Sequence, residues 1–412
     1  MPTWTAEGVA NTSVLDEIAR AIRADGSDEA KHLRLKLDDR KRSPFTVDKR
    51  GYFRNGSSLF IPVGVNYWPA SSGARLWYQD EFPAAEVERD FAALQKTGFN
   101  AVRIFLTWPC FEPREGEFDA ARFGDLLRML AMARDAELAV DVSVFVGGMS
   151  GAFYWPDWVT ANIYSDPTAV SQTRAFALHV ARTVAPFADS IFALELGNEM
   201  NNVETGVNCA PPQVADPDLR VDQIVAWTAT IVAALQEGIP GVPVVPGTGD
   251  GAIHADTGWT LGDAAHKPIA GTVLNFHPYA VLFDPTHGDG LLDPLTHAVS
   301  AYAAAFVRAH GPAFMQEWGT LLTSGKAQQD GYLRGVLPTA FAQVSATACC
   351  RRLLLPGCVF ALMALRGTGC QWFSLVVHAG LHKHPGPALQ HAREGIAPRA
   401  FRRRVGHGQA WP

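Results

Sequence analysis

Two glutamates stand where apolar runs end, in Leu194-Glu195-Leu196-Gly197-Asn198-Glu199 and Phe314-Met315-Gln316-Glu317-Trp318-Gly319. An apolar run leading straight into a carboxylate is the pattern of a buried strand that delivers an acid to a site. Two such acids suit one reaction in particular. Cleavage of a glycosidic bond with retention of configuration needs a carboxylic acid to protonate the leaving oxygen and a carboxylate to attack the sugar, about 5 to 5.5 Å apart. Glu199 and Glu317 are the candidates. Glu195 precedes Leu196 on the same run, which suits an inward layer residue or an ion-pair partner.

The elements that must position these acids alternate. Apolar, β-type runs occur at Leu59 to Val65, Ala101 to Phe105, Leu138 to Phe145, Ile191 to Leu196, Val242 to Val245, Thr272 to Phe276 and Ala313 to Gln316. Helical periodicity fills the gaps at Ala84 to Lys96, Ala120 to Ala136, Thr168 to Ala185, Asp222 to Gln236 and Thr296 to His310. Strand and helix in alternation predict a parallel α/β architecture. Polar and aromatic residues follow the strand ends: Asn66-Tyr67-Trp68, Thr107-Trp108, Asn198-Glu199, His277-Pro278-Tyr279 and Glu317-Trp318. Spread over five strands, they fit the active face of a (β/α)8 TIM barrel better than the single switch point of an open doubly wound sheet. Upstream, Gly51-Tyr52-Phe53-Arg54-Asn55-Gly56 signals a hairpin that could plug one barrel end. Residues 1–44 are expected to form a polar extension with a short helix from Val14 to Arg23, and 45–343 the barrel.

Composition narrows the partners. A net charge of -6 and a pI near 6.1 give no attraction for nucleic acid or anionic membrane, so a neutral ligand is expected. Residues 1–20 lack a secretory pattern and no apolar run reaches membrane-spanning length, so a cytoplasmic protein is expected. Six cysteines without regular spacing predict reduced thiols.

With these residues in order, the chain resembles the clan A retaining glycosidases, above all glycoside hydrolase family 5 and its mannanase-like and galactosidase-like relatives, over about residues 45–340. The resemblance makes Glu199 the acid/base and Glu317 the nucleophile. It places Arg103 beside the nucleophile, Asn198 on the sugar 2-hydroxyl, and His277 with Tyr279 as the sixth-strand pair. Gly64-Val65-Asn66-Tyr67-Trp68-Pro69 resembles the first-strand motif of the mannanase-like branch. It implies a carbohydrate substrate, a β-linked mannoside, glucoside or galactoside, with no cofactor and no metal. Burial would keep Glu199 protonated, whereas Arg103 and a tyrosine hydroxyl would keep Glu317 ionised. Trp68, Trp108, Trp155, Trp158 and Trp318 are candidate stacking platforms for pyranose rings.

Two departures stand out. The third strand ends Val146-Gly147-Gly148, where many relatives carry a histidine. From Val344 to Pro412 there is one acidic residue, Glu394, against nine Lys plus Arg, with five of the thirteen histidines and four of the six cysteines. A shifted reading frame or a rearrangement would give such a composition. Within this tail Gly369-Cys370-Gln371-Trp372-Phe373-Ser374 is the candidate eighth strand, with Trp372 under the sugar. If the tail spoils closure, the chain becomes a catalytically impaired barrel that still binds carbohydrate. An aldolase-type barrel is the poorer reading, since no lysine ends a predicted strand.

Overall fold

The structure is a computed structural model that describes residues 33–34, 43–49, 51–147, 149, 154–200, 203, 216, 218–247, 273–277, 313–317, 320–321, 360–363 and 372–373. Strands are numbered β1 Leu33–Arg34, β2 Phe45–Val47, β3 Phe53–Asn55, β4 Ser58–Phe60, β5 Val63–Asn66, β6 Ala101–Phe105, β7 Ala139–Val146, β8 Ile191–Asn198, β9 Val244–Val245, β10 Leu274–Phe276, β11 Ala313–Met315, β12 Thr320–Leu321, β13 Phe360–Met363 and β14 Trp372–Phe373. Helices are α1 Ala84–Thr97, α2 Trp108–Phe111, α3 Ala120–Asp135, α4 Pro167–Val184 and α5 Val221–Gly238. The predicted helix at 296–310 and the one at 14–23 lie outside the described residues. Among those residues no helix is long and apolar enough to cross a membrane.

Eight strands run in parallel in the order β10-β11-β13-β5-β6-β7-β8-β9. The two ends of that order meet where the Val273 N–H donates to the Val244 carbonyl at 2.8 Å. This is the (β/α)8 barrel. Every residue of β5, β6, β7 and β8 is buried, as expected of strands covered by side chains inside and helices outside.

The eighth strand is β13, Phe360–Met363, paired with β5 on one side and β11 on the other. This corrects the expectation for Gly369 to Ser374. Phe-Ala-Leu-Met is apolar on both faces, as a barrel strand must be, whereas the later segment carries Gln371 and Ser374. Trp372 lies instead in β14, which pairs antiparallel with β12 outside the barrel order.

The run Leu59 to Val65 is two strands. It divides at Ile61-Pro62: β4 belongs to a small sheet with β1, β2 and β3, and β5 enters the barrel. That small sheet is the plug. Phe45, Phe53 and Phe60 pack against Phe192 of β8, and Phe53 also meets Phe314 of β11, with ring centroids 4.8 to 6.3 Å apart across the cluster. Phe192 faces this cluster while Glu195 faces the barrel interior. A regular strand would put residues three apart on opposite faces. Pairing with β7 slips at this point, from Val140 opposite Ile191 to Asp141 opposite Ala193, and the irregularity turns both side chains inward.

Helix ends follow their residues. Asp119 accepts from the Ala121 and Arg122 N–H groups to start α3, and Asp166 does the same for Thr168 and Ala169 ahead of α4, with Pro167 in the first turn. Helix α4 packs on α5, where Trp227 Nε1 donates to Thr173 Oγ1 at 3.0 Å.

Candidate active site

Arg103, in the middle of β6, is only 2% exposed, and its guanidinium is the hub of the barrel's polar end. Nε and Nη2 donate to Glu195 at 2.7 and 2.5 Å, Nη2 to Asn198 Oδ1 at 2.7 Å, and Nη1 to Glu317 Oε1 at 2.6 Å and to Asn66 Oδ1 at 3.1 Å. Residues of three strands, β5, β8 and β11 with its following loop, thus converge on a cation carried by a fourth. Burial alone would lower the Arg103 pKa, but the charges of Glu195 and Glu317 outweigh it and raise it. The paired carboxylates make burial of this charge tolerable. Glu195 is the ion-pair partner its place on the strand suggested, and Arg103 is at once a structural ion pair and the neighbour of Glu317.

Glu317 lies just past β11 with its side chain 4% exposed, and Glu199 follows β8 with its side chain 19% exposed. Between them stands His277, fully buried just past β10. Its Nδ1 lies 3.2 Å from Glu199 Oε1 and 3.7 Å from Glu317 Oε1. Burial works to lower the His277 pKa, yet Glu317's charge and the bond to Glu199 carry it upward. One donor atom from each of Glu199, His277 and Glu317 lies within 4.8 Å of the others. Such a trio could ligate a metal ion, but the Arg103 guanidinium already sits on Glu317 Oε1 and opposes a second cation there.

Glu199 has a left-handed backbone, φ 51°. For a residue with a Cβ that conformation costs about 1 to 2 kcal/mol, and the surroundings hold it in place. The Gly147 N–H donates to the Asn198 carbonyl at 2.8 Å, the Met200 N–H to the Gly247 carbonyl at 3.1 Å, and the Tyr164 hydroxyl to the Met200 carbonyl at 2.8 Å. Both glycines are required by contact. A Cβ on Gly147 would come within 2.9 Å of the Glu199 carbonyl oxygen, and one on Gly247 within 1.7 Å of the Gly197 carbonyl oxygen. Gly147 lies in the strand end where the resemblance leads one to expect a histidine, and here that strand end packs on the backbone that presents Glu199. The Gly247 loop is equally a packing device.

The tryptophans divide. Trp108 is fully buried, bonded through Nε1 to Glu112 and ringed by Phe145, Trp155, Trp158 and Phe176, so it is core and not a platform. Trp68 is 5% exposed and stacks on Phe105, whose ring in turn lies under the Arg103 guanidinium at 4.6 Å. It forms a wall beside the charged hub, with one face taken. Trp155 is buried and Trp158 partly so. Tyr279, Trp318 and the side chain of Trp372 lie outside the described residues.

Two polar residues were missed. Asp141 on β7 is fully buried, accepts from Gln316 Nε2 at 2.7 Å through Oδ2, and has no hydrogen-bond partner on Oδ1. Burial and then the Glu195 charge push its carboxyl up to about 8. Asn275 on β10 donates to Gln316 Oε1 at 2.7 Å and accepts from the Gly247 N–H at 3.0 Å. Their signal was available: a lone acid in Leu138 to Phe145 and a lone amide in Thr272 to Phe276 interrupt otherwise apolar strands.

The arrangement is two carboxylic groups on separate strands, facing each other across a histidine, with an arginine on one of them. A family model described as Cellulase (glycosyl hydrolase family 5) matches residues 61–347. The chain belongs to glycosyl hydrolase family 5. Among solved structures it is similar to the exo-beta-1,4-mannosidase Op5Man5 from Opitutaceae bacterium strain TAV5, at 33% identity and a TM-score of 0.62, covering 77% of this chain and 55% of that one. A GH5_18 protein from Streptomyces cattleya in complex with GlcNAc matches at 21% identity and a TM-score of 0.60, covering 74% of this chain and 70% of the other. The family 5 mannosidase from Rhizomucor miehei matches at 15% identity and a TM-score of 0.56, covering 80% and 87%. The last two likenesses concern the fold. This chain spans about half the length of the Opitutaceae protein. Comparison with curated proteins finds no match.

Proposed function

We infer that this family 5 member hydrolyses β-linked mannosides with retention, Glu317 acting as nucleophile and Glu199 as acid/base. The observation that carries the reading is the approach of the two glutamates. Carboxylate oxygens within 4.8 Å of each other fit the separation of about 5 to 5.5 Å that a retaining enzyme uses and fall short of the 6.5 to 9.5 Å, roughly, of an inverting one. The division of labour follows the neighbours. Glu317 accepts a charge-assisted bond from Arg103, which suits an attacking carboxylate, while the more exposed Glu199 is placed to reach a leaving group. Asn198 has its carbonyl oxygen turned to Arg103, so the NH2 is the end it presents to a sugar hydroxyl. The preference for mannose among the β-glycosides rests on likeness to the Opitutaceae exo-mannosidase. Because β13 pairs on both sides, the reason for expecting an impaired barrel falls away.

The test is hydrolysis of aryl β-mannoside, β-glucoside and β-galactoside, with the configuration of the first-formed sugar followed by NMR. Release of β-mannose is expected, with a loss of at least about 10³-fold in kcat for Glu317→Ala. First-formed α-mannose, or full activity in the variant, would sink the mechanism; preference for another sugar would correct the substrate alone.

A further inference from the structure

Inside the barrel one chain of amide hydrogen bonds runs from a backbone N–H to the histidine between the glutamates, and its direction can be read link by link. The Gly247 N–H donates to Asn275 Oδ1 at 3.0 Å. A backbone N–H can only donate, so this bond fixes which end of the Asn275 amide is oxygen. The Asn275 Nδ2 group then donates to Gln316 Oε1 at 2.7 Å, which in turn fixes the Gln316 amide and directs its Nε2 group onto Asp141 Oδ2 at 2.7 Å. Gln316 is held at its backbone too, where its carbonyl accepts from Asn66 Nδ2 at 3.2 Å. The remaining neighbour of Gln316 Oε1 is His277 Nε2, at a long 3.4 Å. An amide oxygen only accepts.

We propose that Gly247, Asn275 and Gln316 hold His277 with a hydrogen on Nε2, so that Nδ1, 3.2 Å from Glu199 Oε1, is the nitrogen that gives and takes the proton. Gln316 and Asn275 are then positioning residues for the acid/base, two and three hydrogen bonds removed from Glu199. With Nε2 occupied, one proton lies on the line between Nδ1 and Glu199 Oε1. A neutral imidazole accepts it from the carboxylic acid, and an imidazolium donates it to the carboxylate. Glu199 therefore keeps a proton partner on the side that faces His277. The groups that face this pair are Glu317 and Arg103, and beyond Gln316 lies Asp141. The catalytic meaning of the relay rests on Glu199 being the acid/base; the orientation of His277 does not.

The decisive variant is Asn275→Asp. A carboxylate at 275 still accepts from the Gly247 N–H, but its second oxygen now faces Gln316 and must be met by the Gln316 NH2. That reverses the amide and turns its NH2 toward His277 Nε2, which must then accept. In the full-length protein labelled at histidine, with His277 assigned by its loss in His277→Gln, 15N and 13C shifts through a pH titration report which nitrogen releases its proton. Release from Nδ1 is expected in the wild type and from Nε2 in Asn275→Asp. Gln316→Met, of similar volume and without a donor, serves if a buried carboxylate at 275 prevents folding; there the neutral ring is expected to divide between both forms.

On aryl β-mannosides either variant is expected to lose about 10²-fold in kcat/KM for a poor leaving group and little for an activated one, as defective proton donation requires. Release from Nδ1 unchanged in the folded variants overturns the proposal. If Glu199→Ala shows no dependence on the leaving group, the acid/base reading fails, and the NMR result still decides the relay.

Discussion

The two ends of the barrel are built from the same kind of position, inward residues of parallel strands, and they do opposite things. At the N-terminal end Phe192 and Phe314 meet Phe45, Phe53 and Phe60 of the small sheet, and the contacts are apolar ring edges and faces. At the C-terminal end Glu195, a few residues along the strand from Phe192, and Glu317, just past the strand of Phe314, meet on Arg103. One end lowers the free energy of the fold by removing apolar surface from water. The other holds three charges in the interior, each tolerable only because the others are there. The contrast sets apolar packing at one end against the proposed chemistry at the other, along the same two strands.

Arg103→Met attacks the charged end most severely. It strands Glu195 and Glu317 without their cation, and a loss of about 3 to 5 kcal/mol is expected, with turnover abolished in whatever still folds. Chemical denaturation with activity measured on the folded fraction checks both halves. A stable and active Arg103→Met protein would show the hub to be dispensable. Phe192→Ala attacks the other end and should cost about 3 to 4 kcal/mol through the cavity it leaves. Turnover per folded molecule should scarcely move, and a loss of turnover equal to that of Arg103→Met would erase the division between the ends.

Asp141 sharpens the comparison through pH. Its carboxyl is raised from the usual carboxylate range to about 8, by burial first and by Glu195 second, with Arg103, Gln316 and His277 pulling the other way. Between pH 4 and 8 the folded chain therefore holds a proton there that the unfolded chain has released, and this contribution to stability is lost as pH rises toward 8. Asp141→Asn removes the titration. Its melting temperature relative to wild type should climb between pH 5 and pH 8, and a difference independent of pH would contradict the assignment. The smallest effect belongs to Tyr164→Phe, which deletes the hydroxyl bonded to the Met200 carbonyl beside Glu199. About 1 kcal/mol of stability is expected to go, with a several-fold fall in kcat that an unchanged KM would separate from a binding defect.

Much of this was legible in the chain. The alternation of strand and helix gave the barrel because periods of two and 3.6 residues are local properties. The two glutamates, Asn198 and His277 stood out as polar residues at the ends of apolar runs, whereas Arg103, in the middle of its strand, was singled out through the family resemblance. Other features were not local. The eighth strand was misplaced because Phe360–Met363 and the segment around Trp372 differ in the strands they pair with, β5 and β11 for the first and β12 for the second, and those partners lie far away in sequence. Trp108 looked like a platform from its place after a strand, and only its neighbours show it to be core.

By itself the sequence determined which side chains could do chemistry and on which strands they ride, since a strand's direction and pattern are written along it. Only the tertiary structure decided how they act together. It converges Glu195, Glu317, Asn198 and Asn66 on one guanidinium, bends Glu199 into a left-handed turn against Gly147 and Gly247, and sets a backbone N–H to orient two amides and a histidine. Those facts depend on distances between residues up to 214 positions apart. Hydrogen-bond direction and charge pairing act through space, and no spacing along the chain encodes them.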